Sequence, residues 1–211
     1  MTEFSFDLLT TAPDSRARRG RLHTRRGTIE TPVFMPVGTQ ATVKTLEPNE
    51  VERGGAQIIL ANTYHLMLRP GVERIQAAGG LHCFMRWNRP ILTDSGGFQI
   101  FSLAGQVRVK EAGAHFQSHH DGSPWHLSPE RAVELQAGYG SDIMMALDHV
   151  VGYPAPEITV ADAMHRTHRW LDRCIERCAT GDLSPKQGVL FGIIQGGMYR
   201  TLREESARAV A

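Results

Sequence analysis

The chain has 211 residues, 41% of them hydrophobic and 21% charged, enough to bury one sizeable core and ordinary for a soluble globular domain. Its formal net charge of +1 supplies no global basic field, so nucleic-acid binding would have to rest on a local patch. Cys83, Cys174 and Cys178 are too few for a disulfide framework and point to a reducing cytoplasm, while acidic Glu3 and Asp7 and the lack of a long apolar stretch argue against a signal peptide or membrane anchor.

Phe4 to Leu9 alternates apolar and polar residues, as does the region around Leu22 and Ile29, and this predicts an N-terminal hairpin. Arg16, Arg18, Arg19, Arg21, Arg25 and Arg26 cluster there. A solvated hairpin face accounts for them at least as well as an RNA-facing patch. Val33-Phe34-Met35-Pro36-Val37 reads as the first strong strand, closed by Gly38-Thr39. Pro48 opens a short helix that Gly54-Gly55 stops. Gln57 to Ala61 is the second strand, followed directly by Asn62-Thr63-Tyr64-His65, and Val72 to Ala78 is a helix ended by Gly79-Gly80. Pro90-Ile91-Leu92 is the third strand. It leads into Thr93-Asp94-Ser95-Gly96-Gly97-Phe98, where the paired glycines predict a tight turn whose backbone N–H groups can approach a ligand.

After Phe101 the pattern changes. Val107, Val109, His115 and Phe116, with an Asp121-Gly122 turn, predict a small hairpin insertion. Ser128-Pro129 supplies an N-cap and a first-turn proline to a helix running through Leu135. Asp142 to Leu147 is the fourth strand, ending at Asp148. The helix from Val160 to Cys178 carries Val160, Met164, Leu171, Cys174, Ile175 and Cys178 on one apolar stripe, which makes the two cysteines core thiols rather than half of a metal site. Gly188 to Ile194 is the fifth strand, ending at Gln195-Gly196-Gly197, and Leu202 to Ala211 begins another helix.

Strands separated by helices predict an α/β fold of parallel βαβ units. Asn62, Asp94, Asp148 and Gln195 each directly follow a strand, and in a (β/α) barrel the strand C-termini form the face that carries the site. A doubly wound sheet would also bind ligands beyond its strand ends, although no Gly-x-Gly-x-x-Gly follows the first strand. Five strands are countable, whereas a closed barrel has eight over about 250 residues, so the chain is expected to stop roughly two-thirds of the way round. Asp94 and Asp148 could form a carboxylate pair for glycosidic chemistry, one as acid/base and one as nucleophile or binding group; a helix N-cap is the plain alternative for each. Ser95 invites a serine-protease reading, but Thr93 stands where the motif's leading glycine belongs and the surroundings are β/α. His115, His119, His120 and His126 match no zinc-ligand spacing and read as exposed imidazoles.

Several of these stretches agree together with one family. Thr31-Pro32-Val33-Phe34-Met35-Pro36-Val37-Gly38-Thr39, Asn62-Thr63-Tyr64-His65-Leu66, Thr93-Asp94-Ser95-Gly96-Gly97-Phe98-Gln99, Ser128-Pro129-Glu130, Asp148 and Gly192-Ile193-Ile194-Gln195-Gly196-Gly197 resemble the tRNA-guanine transglycosylases (queuine tRNA-ribosyltransferases), over nearly the whole chain and in the right order. The resemblance implies a (β/α)8 TIM barrel with a zinc subdomain, of which residues 1–211 would be an incomplete barrel domain holding about the first five βα units. It implies a cytoplasmic enzyme of queuosine biosynthesis, working as a homodimer or heterodimer, that exchanges a guanine in a tRNA anticodon for a 7-deazaguanine base. By position, Asp94 is implied as the acid/base residue, and Asp94, Ser95, Gly96, Gly97 and Phe98 as the pocket lining. Asp148 is implied to accept from the ring N–H and exocyclic amino group, and Gln195 to donate to the base carbonyl; Asn62 and Val150 are further pocket candidates.

The family's nucleophilic aspartate, basic RNA-binding segments and Cys/Cys/Cys/His zinc ligands lie beyond the fifth strand. The expectation is therefore an N-terminal fragment with no nucleophile or metal ligands of its own, inactive alone. His149-Val150 stands where most bacterial members carry Glu-Cys, and the valine resembles members that take queuine directly. Two other readings remain: a shortened, non-catalytic relative that binds RNA or a partner subunit, and an unrelated barrel glycosidase.

Overall fold

The computed structural model describes residues 4–183 and 188–211. Its alternating N-terminal segment forms an antiparallel sheet of β1 (Ser5–Thr11), β2 (Arg18–Thr24) and β3 (Gly27–Thr31). The predicted hairpin was one strand short, because Gly27, at φ +130, turns β2 directly back into β3. Arg19 and Arg21 pair with Glu30, while Arg25 and Arg26 reach Asp142, so four of the clustered arginines are engaged in ion pairs.

Next come β4 (Val37–Gly38), α1 (Pro48–Arg53), β5 (Ile59–Ala61), α2 (Thr63–Leu68), α3 (Val72–Ala77), α4 (Leu81–Met85), β6 (Ile91–Thr93) and α5 (Gly97–Leu103). A second antiparallel sheet follows, made of β7 (Gly105–Lys110), β8 (Gly113–Gln117) and β9 (Pro124–Leu127). The rest is α6 (Pro129–Tyr139), β10 (Ile143–Met145), α7 (Glu157–Ala179), β11 (Val189–Phe191) and α8 (Arg200–Val210).

The central sheet is parallel throughout, in the order β4-β5-β6-β10-β11. Each new strand adds beyond the last, so all C-terminal strand ends open in one direction. The fold is α/β, a parallel sheet with helices between its strands. On one face Ile59, Ala61 and Ile91 pack with Tyr64, Leu66, Ile75, Leu81 and Tyr139 from the helices. On the other, Ile58, Leu92, Ile143, Met145 and Val189 meet Ile29, Leu22 and Phe4 from the N-terminal sheet.

Local chemistry sets the helix ends. The Ser128 hydroxyl accepts from Arg131 N at the start of α6, and Gly140 ends that helix in the left-handed region at φ 76. Arg173–Glu130 and Arg177–Glu134 pairs then join α7 to α6.

Several expectations are corrected. The first parallel strand pairs only at Val37–Gly38, because Pro32 and Pro36 have no N–H to give; the Pro36 carbonyl still accepts from Leu60 N at 2.9 Å. The insertion has three strands, and the Asp121-Gly122 turn joins the second to the third. The glycine pair does more than turn the chain: Gly96, at φ 85, precedes a helix that begins at Gly97. Ile175 is 52% exposed, while Val160, Met164, Leu171 and Cys174 of the same stripe are buried.

Candidate active site

Asn62, Asp94, Asp148 and Gln195 do gather beyond the C-terminal strand ends, through hydrogen bonds that cross between neighbouring βα units. After β5, Asn62 Nδ2 donates to Asp94 Oδ2 at 2.6 Å and Thr63 N donates to Asp94 Oδ1 at 2.8 Å. Gly96 N donates to the same Oδ1 at 3.2 Å, and the Thr63 hydroxyl donates to the Asp94 carbonyl at 2.6 Å. After β10, Asp148 accepts from Ser95 Oγ at 2.7 Å and from Gln195 Nε2 at 2.8 Å. Ser95 Oγ in turn accepts from Gly97 N at 3.1 Å.

Burial pushes both carboxyl groups above the usual carboxylate range. For Asp94 this outweighs the stabilising bonds from Asn62, Thr63, Gln99 and Gly96. For Asp148 it outweighs the bonds from Ser95 and Gln195, and the negative charge of Asp94 adds to the rise. Two carboxylates that feel each other in a partly buried site can hold different numbers of protons at one pH, which general acid/base work requires.

Val150 and Phe98, the other two pocket candidates, are placed differently. Val150 lines a small cavity with Gly97, Asp148 and Trp170. Phe98 is the outlier: its ring is 61% exposed at the rim and makes no polar contact with the carboxylates. Beside Gln195 lies a cavity of about 290 Å³, lined by His149, Tyr153, Met164, Gln195, Met198 and Tyr199. Arg166 Nη1 donates to His149 Nδ1 at 2.9 Å; burial and the Arg166 charge hold that imidazole below its usual range. A separate cavity of about 250 Å³, lined by Leu46, Val51, Met85 and Trp87 among others, has no carboxylate and is not part of the site.

Reasoning from strand ends missed Thr63 and Gln99. Thr63 was visible as the residue after Asn62, but its two hydrogen bonds to Asp94 need the register of β5 beside β6. Gln99 favours the ionised form of Asp94, and its Oε1 is buried without a partner among the described residues. That leaves one acceptor open beside the carboxylate.

No group of three or more His, Cys, Asp or Glu that could hold a metal ion occurs among the described residues. Cys174 Sγ donates to the Pro129 carbonyl, and burial pushes its thiol up to about 12, the behaviour of a packed side chain rather than a ligand. No helix among the described residues is long and apolar enough to cross a membrane.

A family model described as "Queuine tRNA-ribosyltransferase" matches residues 14–211. The chain is 52% identical over 210 residues to the queuine tRNA-ribosyltransferase of Halalkalibacterium halodurans, covering 100% of this chain and 54% of that protein. It is 54% identical over 203 residues to the protein of the same name from Natranaerobius thermophilus, covering 96% and 54%. A Listeria monocytogenes protein of that name is 50% identical over 208 residues, covering 99% and 54%. The chain thus spans about half the length of the curated relatives it matches.

Proposed function

The chain belongs to the queuine tRNA-ribosyltransferase family, and we propose that its strand-end carboxylates form the base pocket of a tRNA-guanine transglycosylase. The observation that carries this reading is the Ser95–Asp148–Gln195 triad beside Asp94. A guanine-type edge offers two N–H donors next to a carbonyl acceptor. Asp148 has a spare lone pair on each oxygen after accepting from Ser95 and Gln195, so it can take the ring N–H and exocyclic amino group. Gln195 Nε2 has two hydrogens and gives one to Asp148, leaving the other for the base carbonyl. A base lacking these groups would leave buried polar atoms unpaired, which is how such a pocket discriminates.

Asp94 is the acid/base residue in this proposal. Its raised protonation range suits proton transfer to a departing purine and from an incoming 7-deazaguanine. Gly96 and Gly97 bring backbone close to the base, Asn62 orients Asp94, and Phe98 offers an exposed ring at the rim on which a base can stack. Exchange with retention at the anomeric carbon needs two displacements and so a carboxylate nucleophile on the far side of the ribose. Asp94 and Asp148 have other duties, and neither is assigned to that attack.

The same reading extends the five-stranded sheet to a (β/α)8 barrel and takes residues 1–211 as one part-barrel domain. The monotonic strand order supports it, with β4 and β11 each paired on one side only among the described residues. For the whole protein the same reading includes zinc and a dimeric assembly. Three free thiols suit a cytoplasmic setting. Val150 beside Gly97 and Asp148, with the cavity next to Gln195, supports queuine as the incoming base. The test is incorporation of labelled guanine, the pre-queuosine base and queuine into tRNA by the full-length protein. Exchange that vanishes in Asp94→Asn is expected; wild-type levels in that variant would remove Asp94 from the chemistry, and uptake of only the smaller base would remove queuine. A polypeptide of these 211 residues alone is expected to give no turnover in the guanine assay.

A further inference from the structure

We propose that Ser206 of α8, with His168 of α7 behind it, is the positioning residue that aims Gln195 at the carbonyl of the base. Gln195 takes that role from the base-pocket reading above, on which the proposal rests; what fixes its backbone is a matter of geometry.

The parallel sheet does not fix it. β11 pairs with β10 only over Val189–Phe191, and Gln195 stands beyond that ladder, after Gly192, Ile193 and Ile194. A side-chain amide that far past the strand needs another anchor if it is to hold its bond to Asp148. α8 supplies one. Gln195 N donates to Ser206 Oγ at 2.9 Å, and Ser206 is fully buried. His168 Nε2, also 2.9 Å from Oγ, is the acceptor in reach of the hydroxyl proton among the described residues. Ser206 thus accepts from the loop and donates to α7, which sets the His168 ring with its own proton on Nδ1.

The turn after Gln195 is pressed onto the same helix. A β-carbon on Gly196 would lie 2.6 Å from Arg203 N and 2.7 Å from the Leu202 carbonyl carbon, so a side chain there would push the loop off α8. Tyr199 N closes this turn on the Gly196 carbonyl at 3.1 Å. The preceding βα unit uses a similar device. His149 N, next to Asp148, donates at 3.0 Å to Thr167 Oγ1 of α7, and Thr167 is buried too. The Thr167 hydroxyl is satisfied within its own helix, by the Ala163 carbonyl at 2.9 Å. Ser206 depends instead on a side chain of the neighbouring helix, so the packing of α7 against α8 bears on where Gln195 points.

Calorimetry of guanine and 6-thioguanine binding to the full-length protein tests this. 6-Thioguanine keeps both N–H donors and replaces the carbonyl oxygen with a sulfur that accepts more weakly, so the preference for guanine reads the Gln195 contact. Ser206→Ala is expected to weaken guanine roughly tenfold, the scale of one hydrogen bond, and 6-thioguanine less. A role in folding alone would weaken both alike and leave the preference unchanged. In a Gln195→Ala background Ser206→Ala should make no further difference, because it acts through Gln195. His168→Ala should narrow the preference by less, and His168→Gln, whose amide can accept where Nε2 does, should restore it. That pair carries the test if Ser206→Ala does not fold. Glu205→Gln, which loosens only the exposed pair with His165 between the same helices, should leave both affinities at wild type. A wild-type preference in every folded Ser206 and His168 variant, or a Ser206→Ala loss that persists without Gln195, overturns the proposal. A Gln195→Ala protein that keeps the wild-type preference defeats the base-pocket reading instead.

Discussion

A β-carbon on Gly97 would lie 2.5 Å from Oδ1 of Asp148 and 2.7 Å from its backbone oxygen. The residue is helical, so its lack of a side chain answers to space rather than to dihedral strain. Gly97→Ala should therefore push the Asp148 carboxylate away from Ser95 while the helix tolerates alanine. Guanine binding by calorimetry is expected to weaken at least about tenfold, one charge-assisted hydrogen bond's worth. The overpacking itself should cost about 1–3 kcal/mol of stability. Unchanged guanine affinity would mean that Asp148 is not the acceptor for the base.

Asp94 and Asp148 also set a pH dependence of stability. Burial raises both in the folded state from an ordinary value of 3.8, so the folded chain holds more protons than the unfolded one between the two values. Their contribution to stability therefore falls as pH rises through that window, and the cost is complete above it. Asp94→Asn and Asp148→Asn remove the ionisation and should raise the melting temperature at pH 7 relative to wild type, with little gain at pH 4. Melting curves for either variant that run parallel to wild type across this range would refute the linkage. If the gain comes with loss of base exchange, the site holds a function that its stability opposes.

The strand-end polar residues were legible in sequence because a strand followed by Asn, Asp or Gln is a local pattern, and all four converge. The helical start at Gly97 was not, since a glycine pair reads as a turn until Tyr64 and Asp148 are seen packed against it. The third strands of the two small sheets escaped notice for a similar reason. The alternation around Leu22 and Ile29 reads as one strand, and Trp125-His126-Leu127 is too short to announce a period; cross-strand pairing of Thr28-Ile29-Glu30 with Arg21-Leu22-His23, and of Trp125-His126-Leu127 with Ala114-His115-Phe116, decides them. The arginine cluster was visible as composition, yet its partners Glu30 and Asp142 are a matter of fold. The His65 and His119 rings meet edge-on at 5.7 Å, and nothing local in the sequence links those positions.

Asp142 provides the last prediction, at the opposite end of β10 from Asp148. Its side chain is 1% exposed and accepts from Arg25 Nε at 2.7 Å and Ile91 N at 2.9 Å, with His82 Nε2 also at 2.9 Å. Burial pushes its carboxyl up, but His82, Arg25 and the Ile91 N–H outweigh that and hold it below the usual range. With a lowered folded-state value, its contribution is present above 3.8 and is lost as pH falls through the folded value. Asp142→Ala removes the acceptor shared by Arg25 Nε, His82 Nε2 and the Ile91 N–H and should destabilise by about 3–5 kcal/mol in urea unfolding. Arg19→Ala, removing an exposed pair with Glu30, should cost less than about 1 kcal/mol. Because the hub lies at the far end of the strand from the carboxylate pair, guanine affinity of the folded Asp142→Ala protein should match wild type. Equal costs for the two variants, or a loss of guanine affinity without unfolding, would show that the N-terminal sheet reaches into the site instead of only sealing the opposite end of the core.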